Sequence, residues 1–142
     1  LADDAVLSSG VATGEELPAG ITVTGEPGVE PTLTIDESVA APTEQKIYTI
    51  YKGSGEALTD DQTVLYKQVV GGFGASGQTQ SSWSQAPNKA PVHDAELTGV
   101  TVGSRLLIVA PIPGAEAQSG QEATPNRATV FVVDIVGTSS MQ

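Results

Sequence analysis

The chain has no cysteine, which removes a disulfide framework, a thiol nucleophile and zinc–thiolate sites together. Histidine is nearly absent as well: His93 is the only one. A Ser-His-Asp triad would have to use it, and Asp94 beside it is poorly placed to orient the ring, because adjacent helical side chains diverge. No G-x-S-x-G elbow occurs. Basic residues are scarce, six against seventeen acidic ones, for a formal net charge of −11. A surface of that sign repels phosphate backbones and anionic lipid, so no nucleic-acid partner is expected. No apolar run is long enough to span a bilayer. The D-x-[DN]-x-[DN]-G calcium pattern is missing too, and no metal or cofactor is expected. The pairs Asp3-Asp4, Glu15-Glu16 and Asp60-Asp61 read as solvated turn residues, although a carboxylate pair assembled by the fold stays open.

What remains is a strand-rich chain of 142 residues punctuated by sixteen Gly and nine Pro, near the usual size of one domain. Residues 1–20 read as a polar arm or linker, with one helical turn around Asp4 to Ser8. Alternating strands are predicted at Ile21 to Thr24 and Thr32 to Ile35, joined by the turn signal Gly25-Glu26-Pro27-Gly28. Further strands are expected at Lys46 to Lys52, Thr63 to Val70, Thr79 to Trp83, Arg105 to Ala110 and Ala128 to Val136. One segment, Val92 to Thr98, reads as helix, with Pro91 before it and Gly99 after it. His93 and Leu97 would then share a helical face. The expected fold is α+β: a mostly antiparallel sheet with one short helix, and no repeated βα pattern.

Gly72-Phe73-Gly74-Ala75-Ser76-Gly77 matches G-x-G-x-x-G after a strand. A dinucleotide site also needs a helix opening at the third glycine, and Gln78 to Ser82 is poor helix material. The stretch therefore reads as a loop between strands. Aromatics are few: one Trp, three Tyr and two Phe. Tyr66, Trp83 and Phe131 are the candidates for a concave apolar site, and filling the core is the competing role. Phe131, Val133 and Ile135 alternate onto one face, as in a core-facing strand.

These residues carry a resemblance. Gly99-Val100-Thr101-Val102-Gly103-Ser104-Arg105 followed by Leu106 to Pro111 resembles the helix end, "G-x-x-V-G" and following strand of FKBP-type peptidyl-prolyl isomerases. Thr129 to Ile135 resembles that family's closing strand, Val64-Leu65-Tyr66 the strand with its pocket tyrosine, and Gln80-Ser81-Ser82-Trp83 its F-D-S-S segment. The similarity runs over residues 44–137. Ile21 to Ile35 resembles an N-terminal extension of Gram-positive envelope lipoproteins carrying such domains; residues 21–43 read as a β extension packed on the domain, and residues 139–142 as a tail. The resemblance implies a curved antiparallel sheet wrapped around one short helix. It also implies rotation about an Xaa-Pro bond, whose barrier is about 20 kcal/mol because amide resonance must be broken. That chemistry needs no nucleophile or metal. An apolar aromatic pocket strips water from the amide and favours its twisted form, while a tyrosine hydroxyl holds the neighbouring carbonyl.

By the same resemblance Tyr66 and Phe131 are the retained catalytic residues, and Thr79, Gln80, Trp83, Ala90, His93 and Ala115 are substrate-binding. Several depart from the family. Thr79 and Gln80 stand at its Phe and Asp, Lys89-Ala90 at its Val-Ile pair, His93 at the Trp of the pocket floor, and Ala115 at the second tyrosine. The expectation is weak or absent isomerase activity in a domain that binds proline-containing peptide or unfolded segments. Two alternatives stand beside it. One is an active isomerase with a pocket of Tyr66, Trp83, His93 and Phe131. The other is a β-sandwich adhesion module of two packed sheets with no helix near residues 92–98. The composition, rich in Thr, Gly, Pro and Ala and poor in Lys, points to an extracytoplasmic envelope protein. The chain is expected to be a monomeric module of a longer, membrane-anchored precursor.

Overall fold

A computed structural model describes residues 10–17, 19–26, 29–36, 38–73, 79–83, 88–95, 97–112, 114, 120 and 126–140. In chain order the elements are β1 (Val11–Ala12), β2 (Ile21–Thr24), β3 (Thr32–Ile35), β4 (Lys46–Lys52), β5 (Gln62–Phe73), β6 (Gln80–Ser81), β7 (Asn88–Pro91), α1 (Val92–Ala95), β8 (Arg105–Ile112) and β9 (Arg127–Ser140). Every pairing is antiparallel. The main sheet runs β1-β4-β8-β9-β5, and β6 and β7 share the outer edge of β5. The sheet is open. β2 and β3 form a separate two-stranded sheet.

Alternation along β8 and β9 sorts the core into two layers. Leu107, Val109, Val130 and Val132 point to one face, where Ile21 and Leu33 of the β2–β3 hairpin cover them. Leu106, Val133 and Ile135 point to the other, where Leu58, Val92, Leu97 and Val102 cover them. The hairpin foreseen at residues 21–35 therefore packs on one side of the sheet, together with Leu17, Val39 and Trp83. The opposite side carries α1.

The structure differs from the sequence reading at several places. Helix α1 is a single turn, ending at Ala95 rather than Thr98. The Gly99 amide donates to Leu58 O (2.8 Å) and Leu58 N donates to Val100 O (2.8 Å), so pairing with residues 55–58 draws the backbone out of the helix. Gly99, at φ +88°, makes the turn. The sheet thus encloses a helical turn and an irregular segment in place of a two-turn helix. Val11–Ala12, inside the polar arm, pairs with Tyr51 and Lys52. Asn88–Pro91 forms a strand that its Lys and Pro had hidden, on an edge where proline is tolerated. The closing strand continues to Ser140, into the residues read as a tail. The turn around Asp4 to Ser8 lies outside the described residues.

One ion pair is buried between sheet and hairpin. Arg105 is fully buried and its Nε donates to both carboxylate oxygens of Asp134, at 3.0 and 3.1 Å. Its Nη1 donates to Gly25 O (3.1 Å) and its Nη2 to Val29 O, both in the β2–β3 connection. Burial pushes the Asp134 carboxyl up from 3.8 to about 6, against the pull of the Arg105 hydrogen bond and charge. A raised folded-state pKa means that folding takes up a proton here between the two values. This contribution to stability is complete below about pH 4 and is lost as pH rises through about 6, an effect of about 3 kcal/mol. Urea unfolding of wild type and Asp134→Asn across that window checks it. The stability of wild type relative to the variant should decline with rising pH; a flat or rising difference would refute the assignment.

Candidate functional site

On the α1 side of the sheet, alternate residues of three strands converge on one cleft. Tyr66 and Gln68 come from β5, Ile108 from β8, and Phe131 and Val133 from β9, with Ala90 of β7 and Leu97 closing it. Its volume is about 240 Å3. A bulge positions the tyrosine. Leu65 pairs with Gly137 but Tyr66 pairs with Ile135, so β9 carries one extra residue while Val64 and Tyr66 stay on the same face of β5. None of the seven lining residues carries a charge. The Tyr66 hydroxyl has no hydrogen-bond partner among the described residues. The cleft therefore offers apolar walls, two aromatic rings and a free phenol, an arrangement suited to desolvating a small apolar group while hydrogen-bonding a carbonyl beside it.

Of the residues predicted from sequence, Tyr66, Phe131 and Ala90 meet here. His93 does not. Its side chain is 75% exposed and its Nδ1 lies 3.8 Å from Asp60 Oδ2. Thr98 donates its hydroxyl to the other oxygen of Asp60. The reason is the short helix: Val92 turns inward, fully buried, and His93 turns outward. Leu97, 3% exposed, takes the place at the cleft expected for His93.

Trp83 is on the opposite face. Ser82 N donates to Gln68 O (2.9 Å) and Gln68 N donates to Ser82 Oγ (3.0 Å), which aligns the segment beside β5. Trp83 then packs against the hairpin-side core, with Lys67 Nζ 5.3 Å from its ring centroid. Thr79 and Gln80 line a second cleft of about 530 Å3, with Val70, Ile112, Arg127 and Thr129. Ala115 lies outside the described residues, as do Gly74 to Gly77 of the glycine motif. Sequence reasoning missed Leu97, although it is the only large apolar residue between Val92 and Val100. It also missed Gln68 and Ile108, whose signal was their period-2 register with Tyr66 and Leu106.

The solved structures similar to this chain are FKBP-type peptidyl-prolyl isomerases. AtFKBP13 is 15% identical, over 70% of this chain and 97% of its own, at a TM-score of 0.49. FkpA from Escherichia coli is 19% identical over 87% of this chain, at 0.48; the chain spans 53% of FkpA. FKBP12 from Mycobacterium tuberculosis is 22% identical, over 69% of this chain and 86% of its own, also at 0.48. No protein-family model matches the chain, and no curated protein does.

Proposed function

We propose that the chain is an FKBP-like domain whose α1-side cleft holds proline-containing or unfolded segments and catalyses their isomerisation weakly or not at all. The observation that carries this is the uncharged cleft in which Phe131 and the free Tyr66 hydroxyl face Leu97. The sequence motifs, their order and the sheet with one helical turn on that face agree with what the family resemblance implies. The weak-catalysis part of this reading is supported by the make-up of the walls. Leu97, Ala90, Ile108 and Val133 are aliphatic, and Gln68 brings a polar amide to the same cleft. The Gln68 amide and the water it retains would leave an Xaa-Pro amide less completely desolvated than a wholly apolar lining would.

A protease-coupled isomerase assay with an Xaa-Pro peptide should give a rate close to the uncatalysed one. The same peptide should shift the NMR signals of Tyr66 and Phe131. Phe131→Ala should weaken its binding roughly tenfold, the loss of about 1.4 kcal/mol of aromatic contact. Turnover at the rate of an established FKBP enzyme would overturn the weak-activity reading, and absence of any peptide-dependent shift would overturn the binding reading.

The alternative pocket of Tyr66, Trp83, His93 and Phe131 lacks support, because Trp83 and His93 lie away from the cleft. The adhesion-module alternative is disfavoured by α1 at Val92–Ala95 and by a second sheet of only two strands. Our reading also places the domain in an extracytoplasmic envelope protein, as one module of a longer precursor. The Lys-poor composition and the β2–β3 hairpin packed on the sheet support that placement.

A further inference from the structure

The second cleft begins where the first ends. Val70 lines one and Phe131 the other, and the two are cross-strand partners between β5 and β9. From Phe131 the same face of β9 continues through Thr129 to Arg127. Thr129 pairs with Gly72 on one side and Ala110 on the other, and Arg127 pairs with Ile112. The two clefts thus form one trough along β9, with Tyr66 towards one end and Arg127 at the other. Phe131 and Arg127 are four positions apart on the strand, about 13 Å, which is also the reach of about four residues of an extended peptide.

The charge along this trough is unlike that of the rest of the molecule. The chain carries seventeen acidic residues, yet among the described residues no acidic side chain lines either cleft. Among the described residues Arg127 is the one charged residue lining them, and it has no ion-pair or hydrogen-bond partner there. Gln80, Thr79 and Thr129 beside it supply neutral hydrogen-bonding groups. Elsewhere the acidic surface would repel an acidic ligand; here no described lining residue opposes one, and a guanidinium faces it with a fork suited to a carboxylate.

We propose that Arg127 is a specificity subsite of the proline-binding cleft, taking an acidic side chain about four residues from the bound proline. The occupant is an extended acidic segment. Its apolar part lies at Tyr66 and Phe131, its backbone passes over Thr129, and its carboxylate pairs with Arg127. This rests on the peptide-binding reading above.

The test uses blocked peptides of Ala and Gly with one Pro, carrying Glu or Gln about four residues to either side, titrated against the whole chain at low salt. For one of the two directions the Glu peptide should bind roughly threefold to fivefold more tightly than its Gln counterpart, the range of a partly exposed ion pair. That ratio should fall towards one in Arg127→Gln and in high salt, and should invert in Arg127→Glu. Binding of both peptides with a ratio of one in wild type overturns the subsite and leaves the cleft reading standing. A ratio that survives in Arg127→Gln overturns it as well. Failure of both peptides to bind overturns both.

Discussion

Replacing Arg105 by Met should lower folding stability by about 3–5 kcal/mol, the loss typical of a buried ion pair broken on one side. The side chain is fully buried and three of its nitrogens are committed. Its removal leaves the Asp134 carboxylate without a counter-charge, in a setting that already pushes its pKa up to about 6. It also leaves Val29 O without its donor and Gly25 O with the Tyr51 hydroxyl alone, so the hairpin connection loosens with the sheet. The guanidinium carbon lies 5.6 Å from the centre of the Tyr51 ring, and Tyr51 in turn donates to Gly25 O (3.2 Å). Urea unfolding should show the loss as a lower midpoint, and hydrogen exchange should quicken first in β2 and β3. Removing the carboxyl as well, in Arg105→Met/Asp134→Leu, should recover part of the loss, because the unpaired charge is gone while Val29 O still lacks its donor. A single variant that unfolds like wild type would show that the pair contributes nothing.

Gly53→Ala should cost about 3 kcal/mol, and for a different reason. A Cβ at this position would stand 2.2 Å from Val102 O and 2.4 Å from the carbonyl carbon of Gly103, both rigid backbone. The close approach is held by hydrogen bonds. Gly53 N donates to Ser104 Oγ (3.0 Å), and the Thr101 hydroxyl donates to Gly53 O (2.8 Å). Relieving the clash means moving residues 101–104, which lead from Leu97 of the cleft into β8. Peptide binding should therefore weaken along with stability. Gly99→Ala is the control. Its added carbon meets nothing within 4 Å, and only the left-handed φ opposes it, at roughly 1–2 kcal/mol. Equal destabilisation by the two substitutions would remove the close-approach argument.

The strands were legible because period-2 patterns such as Ile21-Thr22-Val23-Thr24 and Phe131-Val132-Val133 encode burial directly. The helix was legible in place but not in length. Pro91 marked its start, while the pairing of residues 55–58 with residues 99–102, which ends it well before Gly99, joins segments far apart in sequence. The same limit applies to the site. Tyr66 and Phe131 reach one cleft because the registers of β5 and β9 turn both to the same face. Trp83 and His93 were placed by type and order alone, and their actual faces depend on the register of β6 beside β5 and on where α1 stops. Arg105 and Asp134 left a trace that went unread: opposite charges inside two apolar runs, at Arg105 before Leu106-Leu107-Ile108 and at Asp134 within Val133-Asp134-Ile135. A charge in the middle of a core strand calls for a partner.

The long strand β9 has a consequence for how the molecule is made. It lies between β5 and β8 and pairs with both, with Phe73 opposite Ala128 and Gln62 opposite Ser140. No central strand of the sheet comes later in sequence. As the chain leaves a ribosome or crosses a membrane from its N-terminal end, β5 and β8 emerge with open edges facing each other across a gap. Only the arrival of residues 127–140 fills that gap, so the sheet closes late and through contacts distant in sequence, the slow class of folding events. Until then β5, twelve residues long, is the segment most in need of a holding partner.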